Sequence, residues 1–195
     1  MYPQGVCRIR KPVSTGNGCA IFPAFDVEEW AKKTRSPAAD DLFRGSQGTQ
    51  ERKMTIMKIA VVYWSSTGNT EAMAQAVAEG AKKAGAEVSL LTATEFDADQ
   101  MDAFDAVAFG CPAMGAEELE DTEFAPMFEG CEAKLSGKKI ALFGSYGWGD
   151  GEWMRTWEET CQAKGANLAC DSVICQEQPD DDALASCRSL GEALA

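Results

Sequence analysis

Apolar runs of strand length alternate with stretches of helical period from Met57 onward, and no other feature of this chain narrows its fold so far. The runs are residues 59–63, 88–91, 106–109, 140–143 and 168–175. After the first of them, Met73, Ala76, Val77, Gly80, Ala81 and Ala84 share one helical face, and Gly85 stands where that helix should stop. Phe124, Met127, Phe128, Cys131 and Leu135 repeat the spacing, as do Trp153, Met154, Trp157 and Cys161, then Ala183, Cys187, Leu190 and Leu194. Each stripe is expected to face a core. The first, third and fourth runs are nearly continuous rather than alternating, as parallel strands covered by helices on both faces require. The expected fold is a doubly wound α/β three-layer sandwich with a five-stranded parallel sheet.

In a sheet of order 2-1-3-4-5 a ligand sits at the carboxyl ends of the strands where the order reverses. Three unusual loops follow the first, third and fourth runs, which are neighbours in that order. The first is SSTGNT at 65–70, directly after a strand and directly before an amphipathic helix. Its N–H groups can converge on an anion with the helix N-terminus adding positive potential. The hydroxyls of Ser65, Thr67 and Thr70 and the amide of Asn69 supplement them, and Gly68 permits the tight bend. A near copy, STGNG at 14–18, has neither strand nor helix beside it and is expected to be a chance match. No Lys stands in the 65–70 loop, so it is no P-loop; it suits a terminal phosphate that is held rather than transferred. The other two loops are GCPAMGAEELE at 110–120 and GSYGWGDGEW at 144–153. There Trp148, between two glycines, and Met114, before Gly115, can sandwich a planar ring whose phosphate reaches 65–70. The segment 176–179 can form a rim.

Charge and composition exclude several function classes. The net charge is -13, which repels nucleic acid and anionic membrane and favours basic protein partners. There is no His, which removes the usual general base and the commonest metal ligand. The 8 cysteines form no CxxC and read as reduced thiols of a cytoplasmic protein, with no metal site. No apolar run has membrane-spanning length and no secretory h-region opens the chain.

Residues 1–54 hold 9 Lys plus Arg and 6 Asp plus Glu, against 9 and 25 in 55–195. They lack sustained periodicity and are expected to be a mostly disordered extension; residues 55–195 are the working domain. A further expectation is that the extension is no part of the working protein. Glu51-Arg52-Lys53 can be encoded by a purine-rich ribosome-binding stretch, and Met54 and Met57 follow at once.

The three loops, in order and spacing, resemble those of short-chain flavodoxins of the clostridial type: VVYWSSTGNTEAMA, GCPAMG and GSYGWGDGEWM. The resemblance covers the whole domain and implies a flavodoxin-like fold, non-covalent FMN, and low-potential one-electron transfer between semiquinone and hydroquinone, without enzyme activity. Carried over by motif, it assigns the phosphate to Ser65, Ser66, Thr67, Gly68, Asn69 and Thr70. Met114 and Trp148 would flank the isoalloxazine. Glu117 would bond its pyrimidine end, Ser145 and Gly147 would lie near ribityl and ring, and Trp64 would border the phosphate. Pro112, Ala113, Gly115, Ala116, Tyr146 and Gly149 complete the contacting loops. Ser66 stands where that family commonly has Gly, and Ala116 where a polar residue is frequent. The implied partners are redox proteins with basic docking surfaces, of the ferredoxin-dependent oxidoreductase type, met by a monomer.

Glu117, Glu118, Glu120, Asp121 and Asp150 stand near these loops with no Lys or Arg among them. Each carboxylate at about 10 Å would cost an anionic flavin roughly 0.4 to 1.7 kcal/mol, though Glu120 and Asp121 read equally well as solvated surface acids. A rival on the same fold is an NAD(P)H or quinone oxidoreductase, whose second substrate Trp148 would obstruct. A phosphoacceptor receiver module is rejected: Trp64-Ser65 and Cys111-Pro112 stand where its acidic residues belong.

Overall fold

The computed structural model describes residues 56–195. The expected extension at 1–54, including the STGNG copy, lies outside the described residues.

The apolar runs become strands β1 (Lys58–Tyr63), β2 (Glu87–Thr92), β3 (Ala106–Gly110) and β4 (Lys139–Tyr146), closed at one edge by two short strands, β5 (Asn167–Leu168) and β6 (Val173–Gln176). All pairings are parallel and the order is β2-β1-β3-β4-β5, with β6 also on β4. The order read from the sequence is therefore the observed one. The last run, expected as a single strand, is interrupted. Leu168 pairs with Ile140 and Val173 with Phe143, so two residues of β4 face four of the other chain segment, 169–172. The surplus bulges out, and there the Ser172 hydroxyl donates to Glu158 on a neighbouring helix.

Among the described residues, four α-helices cover the sheet: α1 (Asn69–Lys83), α2 (Phe124–Cys131), α3 (Glu152–Ala163) and α4 (Asp181–Leu194). Successive strand residues point to opposite faces, so each strand feeds two cores. Ala60, Val62, Val107, Phe109, Ile140 and Leu142 meet the aromatic layer of α2 and α3. Ile59, Val61, Ala106, Ala108, Ala141 and Phe143 meet α1 and α4, where Met73, Val77, Cys187, Leu190 and Leu194 are buried. The four stripes read as core are core, except that Ala84 lies at the exposed helix end and Ala183 is half-buried outside both core clusters. Trp157 packs edge-on against Phe124 and Phe128, with centroids 5.5 and 5.4 Å away. Among the described residues, no helix is long and apolar enough to cross a membrane.

Candidate functional site

Parallel pairing fixes where the three loops begin. Tyr63, Gly110 and Phe143 lie in register across β1, β3 and β4, so the chain leaves the sheet at one level in three adjacent places. Hydrogen bonds carry that alignment into the loops: Trp64 N–H donates to the Gly110 carbonyl (3.0 Å), Cys111 N–H to Phe143 (3.1 Å) and Ala113 N–H to Ser145 (2.9 Å). The Thr70 and Ser145 hydroxyls meet at 2.9 Å, both residues buried. The hydroxyl-rich crook and the loop carrying Trp148 are thereby joined, and three residues of extended chain beyond Ser145 reach no further than about 11 Å.

The crook is shaped by Gly68 at φ +87°, a left-handed conformation that an L side chain rarely adopts. Gly68 N–H donates to the Ser65 hydroxyl (3.0 Å). Among the described residues, the N–H groups of Ser66, Thr67, Asn69 and Thr70 have no acceptor, and no side chain caps α1. The other three helices differ. Glu120 accepts from Thr122, Glu123 and Phe124 N–H at the start of α2, each at 2.9 Å. The Glu117 carboxylate accepts from Gly151 (3.0 Å) and Glu152 (3.2 Å) at the start of α3. Asp180 accepts from Ala183 (2.8 Å) in α4. Carboxylates thus satisfy three helix N-termini, and the fourth presents free donors beside Ser66 and Thr67, both exposed.

The turn between the loops is tight. Met114 and Glu118 exchange two main-chain hydrogen bonds (2.8 and 2.9 Å), enclosing Gly115 at φ +53° and Glu117 at φ +58°. Gly115 and Ala116 are exposed, as are Gly147 and Gly149, while Pro112 and Ala113 are half-buried. Met114 is 36% exposed and Trp148 64%, two of the few large apolar side chains that face solvent among the described residues. Tyr146 instead turns inward, its ring 5.4 Å from that of Trp153. The expected rim also forms. Gln178 and Pro179 line a cavity of about 390 Å³ with Thr67, Gly68, Asn69 and Ala72, and Gln176 Nε2 reaches the Gly147 carbonyl at 3.4 Å.

Three features escaped sequence reasoning. Trp64 donates its indole N–H to Glu123 (2.9 Å), a partner 59 residues away that no local pattern signals. Asp150 is paired with Arg155 (2.7 Å), so a cation does stand beside the third loop. Glu120, read as near the flavin or solvated, is 4% exposed and serves as the cap of α2. Burial pushes its carboxyl up, but hydrogen bonds from Thr122, Phe124 and Glu123 outweigh that and hold it below its ordinary value of 4.5. A depressed folded value contributes stability that is complete above the unfolded carboxylate range and lost as pH falls through the folded value. Glu120→Ala should therefore cost about 2 kcal/mol of stability at neutral pH, as for hydrogen bonds to a charged group, read as a lower urea midpoint. Its stability should also fall less in acid than that of the parent. Parallel pH curves for the two proteins would contradict this role.

A parallel sheet whose order reverses beside a helix N-terminus with free donors and two exposed apolar side chains is that of a doubly wound α/β protein, a class whose ligands bind at the carboxyl ends of the strands. A family model of flavodoxin matches residues 61–191. Flavodoxins of Megasphaera elsdenii and Clostridium beijerinckii are each 44% identical to the chain, over 70% and 69% of it and 98% and 97% of their own lengths. The solution structure of two-electron reduced Megasphaera elsdenii flavodoxin superposes with a TM-score of 0.65 over 70% of this chain and 97% of that one. A flavodoxin from the domain Archaea, 31% identical, gives 0.64. The chain belongs to the flavodoxin family. Flavodoxins bind FMN and are electron-transfer proteins rather than enzymes.

Proposed function

We propose that this protein is a low-potential one-electron carrier, cycling non-covalently bound FMN between its one- and two-electron-reduced forms. The observation that carries the reading is the Thr70–Ser145 hydrogen bond, which sets the crook and the Trp148 loop within the span of a single mononucleotide. The free N–H groups of Ser66, Thr67, Asn69 and Thr70, with the hydroxyls of Ser65, Ser66, Thr67 and Thr70 and the bend at Gly68, fit a phosphate. Met114 and Trp148 fit the two faces of a flat ring. FMN supplies the electron-accepting ring; the chain supplies position and electrostatics. Glu117 keeps one carboxylate oxygen on the α3 N-terminus, which leaves the other oxygen for the pyrimidine edge. Ser145 and Gly147 would hold the ribityl chain, with Trp64 at its phosphate end, and Pro112, Ala113, Gly115, Ala116 and Gly149 would wall the ring, with Tyr146 lending its main chain while its ring packs inward on Trp153.

Glu118 and Asp121 disfavour added negative charge on the ring, while Arg155 offsets Asp150 and Glu120 is committed to its helix. The electrostatic lowering of the second potential therefore comes from fewer carboxylates than stand nearby in sequence, and salt should narrow it. In this reading the protein is a monomeric, cytoplasmic carrier whose acidic surface meets basic docking patches. The test is the absorption spectrum of purified, FMN-supplemented protein during stepwise reduction. A yellow protein that turns blue before bleaching is expected; one that remains colourless, or bleaches directly in a single two-electron step, would overturn the reading.

A further inference from the structure

Trp64 opens the crook, and its main chain is fixed. Its N–H donates to the Gly110 carbonyl (3.0 Å), and the hydroxyl of the next residue, Ser65, accepts from Gly68 N–H (3.0 Å). The Trp64 ring is half-buried and packs against the aromatic core. Its edge is held by a residue outside the three loops: indole Nε1–H donates to the Glu123 carboxylate at 2.9 Å. Among the described residues this is the only hydrogen bond that carboxylate accepts, and Glu123 enters no ion pair. The two side chains border a cavity of about 290 Å³, which Ser65 and Glu71 also line and in whose walls no Lys or Arg stands to draw Glu123 away.

Glu123 is firmly seated in turn. Its N–H donates to the buried Glu120 carboxylate (2.9 Å), and its neighbour Phe124 is buried in the core. It stands at the amino end of α2, where the helix dipole favours an anion. An indole supported on one face alone can still swing about its side-chain torsions, and a hydrogen bond at its edge selects one orientation. A charged acceptor holds that orientation more firmly than a neutral one.

We propose that Glu123 is a positioning residue for FMN. It acts through Trp64, locking the indole as a fixed wall at the phosphate end of the crook. The gain is preorganisation: the wall stands in place before the nucleotide arrives, so binding does not have to order it. The charge of the carboxylate acts the other way, since it repels phosphate, and substitution separates the two effects. Glu123→Gln keeps a side-chain carbonyl as acceptor and removes the charge, whereas Glu123→Ala removes both. The inference rests on the FMN reading, which puts the phosphate in the crook and Trp64 beside it.

The test titrates the full-chain apoprotein with FMN, followed by flavin fluorescence. Glu123→Gln should bind FMN within about threefold of the parent. Glu123→Ala should bind it about fivefold more weakly than Glu123→Gln, the net worth of one neutral hydrogen bond. In a Trp64→Phe background the Ala and Gln variants should bind FMN equally, because no indole is left to orient. Riboflavin, which lacks the phosphate, should distinguish Ala from Gln by less than about twofold in either background. In nitrogen-15-labelled protein the Trp64 indole N–H should exchange with water faster in Glu123→Ala than in Glu123→Gln. Equal FMN affinity of the Ala and Gln variants, a difference between them that persists without the indole, or an equal loss of riboflavin affinity would each overturn the proposal. Its failure is distinct from that of the FMN reading. A parent that takes up no FMN sinks that reading, whereas a parent that binds FMN beside indistinguishable Ala and Gln variants sinks only the role of Glu123.

Discussion

Gly191→Ala is expected to destabilise the domain by at least about 3 kcal/mol, at the upper end of the cost of overpacking, and to lower the urea midpoint accordingly. The reason is how closely α1 and α4 approach. A Cβ on Gly191 would lie 2.0 Å from the Val77 carbonyl oxygen and 2.8 Å from the Ala81 nitrogen. One on Gly80 would lie 1.9 Å from the Arg188 carbonyl oxygen. The obstacles are backbone atoms within helices, which no rotamer change can move. Relief requires the helices to separate, and separation uncovers Met73, Val77, Leu190 and Leu194, which fill the core on that face. Gly80→Ala should behave alike. Combined, the two changes should cost less than their sum, since helices parted for one no longer collide at the other. A midpoint unchanged in either single variant would mean that the helices cross less closely than described.

Thr67→Asp should weaken FMN binding between about fivefold and about a thousandfold. This is the range that one added charge facing another at roughly 4 Å produces for effective dielectrics of 80 and 20. Thr67 is exposed, so the fold should tolerate the change. The effect is large because the crook holds no Lys or Arg; its attraction for phosphate comes from N–H groups, hydroxyls and the α1 terminus, with no side-chain cation to absorb an added carboxylate. Titration of the apoprotein followed by flavin fluorescence measures it. Riboflavin, which has the ring without the phosphate, should bind parent and variant alike. Loss of riboflavin binding would point to a general disturbance, and undiminished FMN binding would remove phosphate from the crook.

The sheet order and the helical stripes were legible because each depends on patterns only a few residues long. Ile59 to Tyr63 is apolar throughout because both faces of β1 are covered, and Trp153, Met154, Trp157 and Cys161 recur at the period of the helix that buries them. The fifth strand was less legible. Residues 168–175 are apolar enough to be continuous, and what divides them is a mismatch in count against β4, a property of the pair. The acids near the flavin loops show the same limit more sharply. Glu117, Glu118, Glu120 and Asp121 look alike in sequence, yet the structure makes Glu117 a tether to α3, Glu120 a buried cap of α2, and the other two exposed surface charges.

The sequence alone determined the alternation of strands and helices, the three loops that follow neighbouring strands, and the family to which they belong, since these rest on local periodicity and on short contiguous motifs. Only the tertiary structure decided which helix N-terminus keeps its donors free, which carboxylates remain available as charges, and that the Trp64 indole finds Glu123. Those outcomes depend on hydrogen bonds and packing between residues far apart in the chain. A donor's partner is set by where the sheet places it, and no neighbour in sequence carries that information.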